Sequence, residues 1–281
     1  MKRTPDPHTV KALAIDLDGT VLAPGAVLTE RTIRAVNACR EKGLAVIIAT
    51  GRAIEAAERF RLPLGAEGPM VYFNGAVVAD MPGAKILSAT LLDLEAVNFC
   101  IDLSRSAGVY YQVFLPGTAE HPRQRLMAER QAPETEMYFK HTGIQAEIGD
   151  LKEALAVPGL VGCIKSMFLA EPEVQDAIRP KIEERFGKDL YIARTLRTFL
   201  EIMNPKVSKG EGLKIALERR GLEPARVIAF GDEENDLPMF GVTGFAIAPA
   251  NAKESVKSRA DLVIGPNTED GVAAFLEETF L

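Results

Sequence analysis

The stretch at residues 11–22, KALAIDLDGTVL, constrains this chain more than any other. Residues 12–15 form an unbroken apolar run that fits a strand buried on both faces, and the run stops at Asp16 and Asp18, which flank Leu17 and precede a glycine turn. Carboxylates therefore leave the end of a buried strand. In open parallel sheets ligands gather at those carboxyl ends. By itself an Asp-x-Asp-Gly loop is equally a tight turn or a calcium-type ligand loop, so the rest of the chain decides.

Thr29 is placed to cap a helix that runs through Cys39 and stops at Gly43, and residues 45–49 (AVIIA) then read as a second buried strand. The result is a β-α-β unit. Its second strand ends at Thr50-Gly51-Arg52, which puts a hydroxyl and a glycine amide at the sheet edge that carries Asp16, a pair suited to an anion. A helix at 53–60 breaks before Pro63, and residues 70–73 give a third apolar strand closed by Asn74-Gly75. Asn-Gly between apolar runs is a hairpin signal, and for Asn74 the turn outweighs direct catalysis.

The pattern changes after the loop at 80–83, where a second domain is expected to begin. Residues 92–107 look helical and 109–115 alternate like a half-exposed strand, whereas 116–134, rich in charge and proline, shows no readable pattern. A strand at 162–169, an amphipathic helix at 173–186 and a hairpin from 190–196 and 198–203 complete an α+β insertion. The first domain resumes near Pro205. Ser208 and Glu211 have capping-box spacing, so a helix is expected to Arg220, ending at Gly221. Lys209 falls in its first turn, against the helix dipole; a bound anion would explain it, and so would a solvated surface lysine. Residues 227–230 run straight into Gly231-Asp232-Glu233-Glu234-Asn235-Asp236, four acids and an amide in one loop. After a buried strand, such a loop favours a divalent-cation site over a solvated turn. Short strands at 245–248 and 262–264 and helices at 251–259 and 270–280 close the chain.

Size and charge narrow the function. A chain of 281 residues suggests two domains, and its net charge of -6, with no basic stripe, argues against nucleic acid or an anionic membrane as partner. Arg123, Arg125, Arg130 and Lys140 lie near tyrosines in the insertion, but acids interrupt them and a solvated face explains them. Cys39, Cys100 and Cys163 form no CxxC pair and no zinc spacing with His8, His121 or His141, which fits a reduced, cytoplasmic setting. No apolar run approaches the ~18 residues of a membrane span, and the opening MKRTPDP leads into no signal-type apolar core.

Taken together, DLDGT at 16–20, TGR at 50–52, KG at 209–210 and GDEENDLPM at 231–239 resemble, in this order, the haloacid dehalogenase-like hydrolases, and specifically their Cof-like phosphatases. The resemblance spans nearly the whole chain. It implies a Rossmann-like parallel-sheet core at 1–83 and 204–281 with an inserted α+β cap at 84–203. It further implies that Asp16 is a nucleophile forming an aspartyl-phosphate and that Asp18 is the acid and base. Magnesium would be held by Asp16, the backbone carbonyl of Asp18 and Asp232, with Asp236 orienting its waters. Thr50, the Gly51 amide, Lys209 and Asn235 match the phosphate-holding groups. The expected activity is hydrolysis of phosphate monoesters of small metabolites, with sugar phosphates as the substrate class, by a monomer or homodimer. A phosphomutase of the same superfamily and a non-catalytic phosphometabolite sensor are the rival readings.

Overall fold

The computed structural model describes residues 5–118, 121 and 123–281. The first four residues of MKRTPDP and residues 119, 120 and 122 of the unreadable 116–134 stretch lie outside the described residues. The chain divides into two compact units, one of Met1–Ser88 with Ser208–Leu281 and one of Ala89–Val207.

In the first unit, strand Ala12–Ile15 is buried at all four residues because it has a parallel neighbour on each side, Ala45–Ile48 and Val227–Phe230. The full sheet runs Leu262–Ile264, Phe245–Pro249, Val227–Phe230, Ala12–Ile15, Ala45–Ile48, all parallel. The first crossover goes to one side of Ala12–Ile15 and the later strands add to the other, so the topological switch point lies beside that strand. Ile15 is level with Ile48 and with Phe230, and Phe230 with Ile247. The chain segments that follow these residues therefore emerge side by side.

The helices form where caps and glycines set them. Thr29 accepts the Thr32 N–H at the start of Glu30–Glu41, and Ser208 accepts the Glu211 N–H at the start of Lys209–Arg220, which ends at Gly221 with φ +63°. A Cβ on Gly210 would stand 2.4 Å from the Pro238 carbonyl oxygen, so only glycine lets this first turn lie against Leu237–Phe240. Small residues do the same for the core, where Ala12, Ala14, Ala49 and Ala229 pack with Val71, Leu213 and Leu217.

Strands Gly68–Tyr72 and Val77–Met81 form the expected hairpin around Asn74, which adopts φ +57°. A single parallel bridge, Ala49 to Val71, ties this hairpin to the main sheet. The loop at 80–83 turns the chain into a third strand of the same small sheet, Lys85–Ala89, and so the first unit continues to Ser88.

The second unit is a six-stranded sheet in the order Tyr191–Leu196, Phe199–Met203, Lys165–Leu169, Tyr110–Leu115, Arg125–Ala128, Glu147–Ile148, antiparallel except for the last pair. Helices Leu94–Ala107 and Pro172–Phe186 bury one face through Val97, Ile101, Ile178 and Ile182 against Val113, Phe168 and Leu200. Helix Pro133–Thr142 packs Tyr138 against Phe114 and Phe199, which alternation along the strands places on the other face. The expected strand at 162–169 is split: Gly162–Cys163 pairs with Leu92–Asp93, and Lys165–Leu169 joins the large sheet. The helix expected at 251–259 is a single turn, Glu254–Lys257. Among the described residues no helix is long and apolar enough to cross a membrane.

Candidate active site

Three carboxylates converge at the switch point. Asp16 follows Ile15, and its N–H donates to the Phe230 carbonyl at 3.1 Å; Asp232 lies two residues beyond Phe230, and Asp236 one turn further on. Their ligand oxygens lie within 4.8 Å of one another, and all three residues are buried. The Thr20 hydroxyl donates to Asp232 Oδ1 at 2.9 Å and stands 3.3 Å from Asp16 Oδ2. Gly19 has φ +79°, and a Cβ there would fall 2.1 Å from Asp232 Oδ2, so the turn that follows Asp18 needs glycine for both its conformation and its approach.

Lys209 is 2% exposed, and its Nζ donates to Asp16 Oδ1 at 2.5 Å and to Asp236 Oδ1 at 2.6 Å. The surface-lysine reading therefore gives way: the anions that justify a lysine in this first turn are carboxylates of the protein itself. Asp236 uses its other oxygen to accept the N–H groups of Asp232 and Glu233, at 2.9 and 3.0 Å. Both of its oxygens are thus engaged, one of them twice, whereas Asp16 Oδ2 has only the longer Thr20 contact.

Charge is unbalanced here. Burial is the main reason the Asp16 carboxyl is held well above the usual carboxylate range, with Lys209 pulling it down and Asp236 and Asp232 pushing it up. Burial and Asp236 push Asp232 up to about 6. Burial opposes the charge of Lys209, but Asp16 and Asp236 more than offset it and hold its ammonium above the ordinary value. Three acids facing one ammonium in a buried place leave negative charge that a proton or a cation would neutralise. An oxygen-only donor set of this kind suits a hard divalent ion.

The neighbouring strand end supplies neutral donors. The Ala49 N–H binds the Ile15 carbonyl at 2.9 Å, and the next residue, Thr50, is fully buried; its hydroxyl accepts the Arg52 N–H at 3.1 Å. A Cβ on Gly51 would lie 2.9 Å from Asn74 Oδ1, and that oxygen accepts from Asn235 Nδ2 at 3.0 Å. Asn74 is thus both the turn expected of it and the link that brings Gly51 and Asn235 together. The side-chain amide oxygen Oδ1 of Asn235 is buried with no hydrogen-bond partner among the described residues.

Asp18 differs from the other acids. Its side chain is 55% exposed and is gripped by Arg52, whose Nε and Nη2 donate to its two oxygens at 2.7 and 2.6 Å. In the acidic loop only Asp232 and Asp236 turn inward; Glu233 pairs with Lys253 and Glu234 accepts from Ser255. Sequence reasoning gave no role to Thr20, Arg52, Asn251 or Asn267. Asn251 donates to the Gly19 carbonyl at 2.8 Å and accepts the Asn267 N–H, and Asn267 donates to the Leu22 carbonyl at 2.7 Å. Both asparagines lie just beyond strand ends of the same sheet, the signal that had singled out Asp16 and Thr50.

A family profile described as haloacid dehalogenase-like hydrolase matches residues 13–276. The chain is 28% identical over 275 residues to the pyridoxal phosphate phosphatase of Escherichia coli, covering 95% of this chain and 98% of that protein. It is also 28% identical over 276 residues to a 5-amino-6-(5-phospho-D-ribitylamino)uracil phosphatase of Bacillus subtilis, covering 95% and 97%. Among solved structures, a haloacid dehalogenase-like hydrolase from Bacteroides thetaiotaomicron superposes with a TM-score of 0.86 at 22% identity, covering 96% of this chain and all of the other.

Proposed function

Because the chain belongs to the haloacid dehalogenase-like hydrolase family and is a phosphoric monoester hydrolase, we propose that it cleaves small phosphorylated metabolites through a phosphorylated Asp16. The observation that carries this reading is the buried Asp16 at the switch point, facing Lys209 and Asp232 across a loop fixed by Thr20. Asp16 attacks phosphorus while the bond to the leaving oxygen breaks, and Asp18 delivers a proton to that oxygen. Asp18, now a carboxylate, takes a proton from water as the water oxygen bonds to phosphorus and the acyl-phosphate bond breaks, which restores Asp16.

The phosphoryl oxygens are held by the Thr50 hydroxyl, the Gly51 amide, Lys209 and Asn235, whose charge and dipoles offset negative charge in the transition state. A magnesium ion would be held by Asp16, the Asp18 carbonyl and Asp232, with Asp236 behind them, and when bound it neutralises the excess charge of the cluster. Asp236 suits an outer position because one of its oxygens already accepts two backbone N–H groups and the other accepts the Lys209 ammonium.

None of these residues belongs to Ala89–Val207, which supports a role for that unit in selecting the leaving group rather than in a chemical step. Sugar phosphates are one expected class; relatives named for pyridoxal phosphate and for a phosphorylated ribitylaminouracil make phosphorylated compounds that carry a heterocyclic ring the other. The test is phosphate release by the purified protein with magnesium across a panel of both classes. Saturable turnover of a monoester that is lost with chelator supports the proposal; no turnover of any monoester with magnesium present overturns it.

A further inference from the structure

Asp18 is the one proposed reacting group that burial does not hold in place. More than half of its side chain faces solvent, and a free aspartate there would spread over several rotamers. Fixing it falls to Arg52. The guanidinium makes two parallel hydrogen bonds to the carboxylate, the geometry that restricts both rotation and translation of the acid.

Arg52 is itself well anchored, although it lies in the loop after a strand. Its side chain is only 9% exposed, and its Cζ stands 4.9 Å from the ring centroid of the buried Phe60. Its backbone is pinned at both ends: the N–H donates to the Thr50 hydroxyl, and the carbonyl accepts from Phe73 at 3.0 Å. Thr50, a proposed phosphate ligand, is thus joined to Asp18 through a single rigid residue.

We propose that Arg52 is the positioning residue of the reaction: stacked on Phe60, it holds the Asp18 carboxylate where proton transfer requires it. This rests on the reading of Asp18 as acid and base. In the carboxylate form, both oxygens are gripped and the group is aimed for accepting a proton from water. In the acid form, one oxygen carries the proton destined for the leaving group and donates away from the guanidinium, so the grip is reduced to the other oxygen. Arg52 therefore acts through Asp18 and makes no bond to phosphorus or to the leaving group.

The experiment is a double-mutant cycle on turnover of an alkyl phosphate, a poor leaving group, with Arg52→Met, Asp18→Asn and the double variant. Methionine keeps apolar bulk over Phe60. Arg52→Met is expected to lower kcat about 10²-fold, the cost of a misplaced reacting group, with KM close to that of the wild type. Asp18→Asn should lower kcat by about 10²- to 10⁴-fold. The double variant is expected to be no slower than Asp18→Asn, because with Asp18 gone Arg52 has nothing left to position. If the two losses multiply, or if KM rises instead of kcat falling, Arg52 contacts the substrate itself and the proposal is overturned. It is also overturned if Arg52→Met turns over at the wild-type rate. Should Arg52→Met melt early, the cycle is run with Arg52→Lys, which keeps the charge but lacks the two-pronged grip, and the same non-additivity is required. Near wild-type activity of Asp18→Asn alone would instead remove the acid and base role, a failure distinguishable from that of Arg52.

Discussion

Replacing Lys209 with methionine removes the ammonium that pairs with a buried cluster of three carboxylates and keeps most of the side-chain volume. Two charge-assisted hydrogen bonds are lost, to Asp16 and to Asp236. Breaking a buried ion pair by removing one partner costs about 3–5 kcal/mol. The lower end, about 3 kcal/mol, applies here because burial already favours a protonated Asp16, and a proton taken up in place of the lysine limits the penalty. For a unit of about 160 residues, at about 2–4 °C per kcal/mol, the metal-free protein should melt roughly 6–12 °C lower. Magnesium should stabilise the variant more than the wild type, since the ion no longer shares its acids with a competing cation. Turnover should nevertheless fall by about 10²- to 10³-fold, because a charge proposed to face the phosphate is gone. Melting curves with chelator and with magnesium, beside kcat, test all three effects. A metal-free variant that melts within about 2 °C of the wild type would show that Lys209 is not what balances the cluster.

Other outcomes follow from single features of the site. Gly19→Ala puts a Cβ 2.1 Å from Asp232 Oδ2 at a residue with φ +79°, so magnesium affinity measured by calorimetry should drop with a stability loss of at least about 1–2 kcal/mol. Asp232 is pushed up to about 6 by burial and Asp236, and burial holds Asp16 above the usual carboxylate range as well; since the metal needs both carboxylates, magnesium affinity should rise with pH through 6 and weaken as the pH falls below it. Titrations at constant ionic strength check the sign. Burial pushes the thiols of Cys39 and Cys100 up to about 11 and about 12 and that of Cys163 higher still, so native protein at neutral pH should resist iodoacetamide at all three, with rapid labelling once denatured, as read by peptide mass spectrometry.

What the sequence made legible was the edge of the parallel sheet. Strands short enough to be buried on both faces read as apolar runs, and the polar residue that ends each run identifies itself: Asp16, Thr50 and Asp232 follow this rule. Side-chain direction was less accessible. Lys209 looked like an exposed lysine because the carboxylates that bury it come from positions 193 and 27 residues away in the chain. Arg52 stood in a recognised motif, yet its grip on Asp18 depends on a loop 34 residues distant. Elements of the second unit were hardest where few residues are buried. Helix Pro133–Thr142 hides only Thr135 and Tyr138, which leaves no apolar stripe to read. Strand Arg125–Ala128 has four residues, too few for alternation to separate it from a loop. The break in 162–169 comes from competition between two sheets for one run, a choice that only tertiary packing makes.

Transfer of a phosphoryl group through Asp16 is the step on which the proposed reaction turns. Mixing enzyme with a turned-over monoester and magnesium, quenching in acid and sequencing the peptides by mass spectrometry tests it directly. Expected are one phosphoryl group on the peptide bearing Asp16, assigned to that side chain, and neither phosphopeptide nor turnover in Asp16→Asn, where an amide replaces the nucleophile without changing its shape. Phosphate trapped on another residue, or turnover by Asp16→Asn close to that of the wild type, would contradict it.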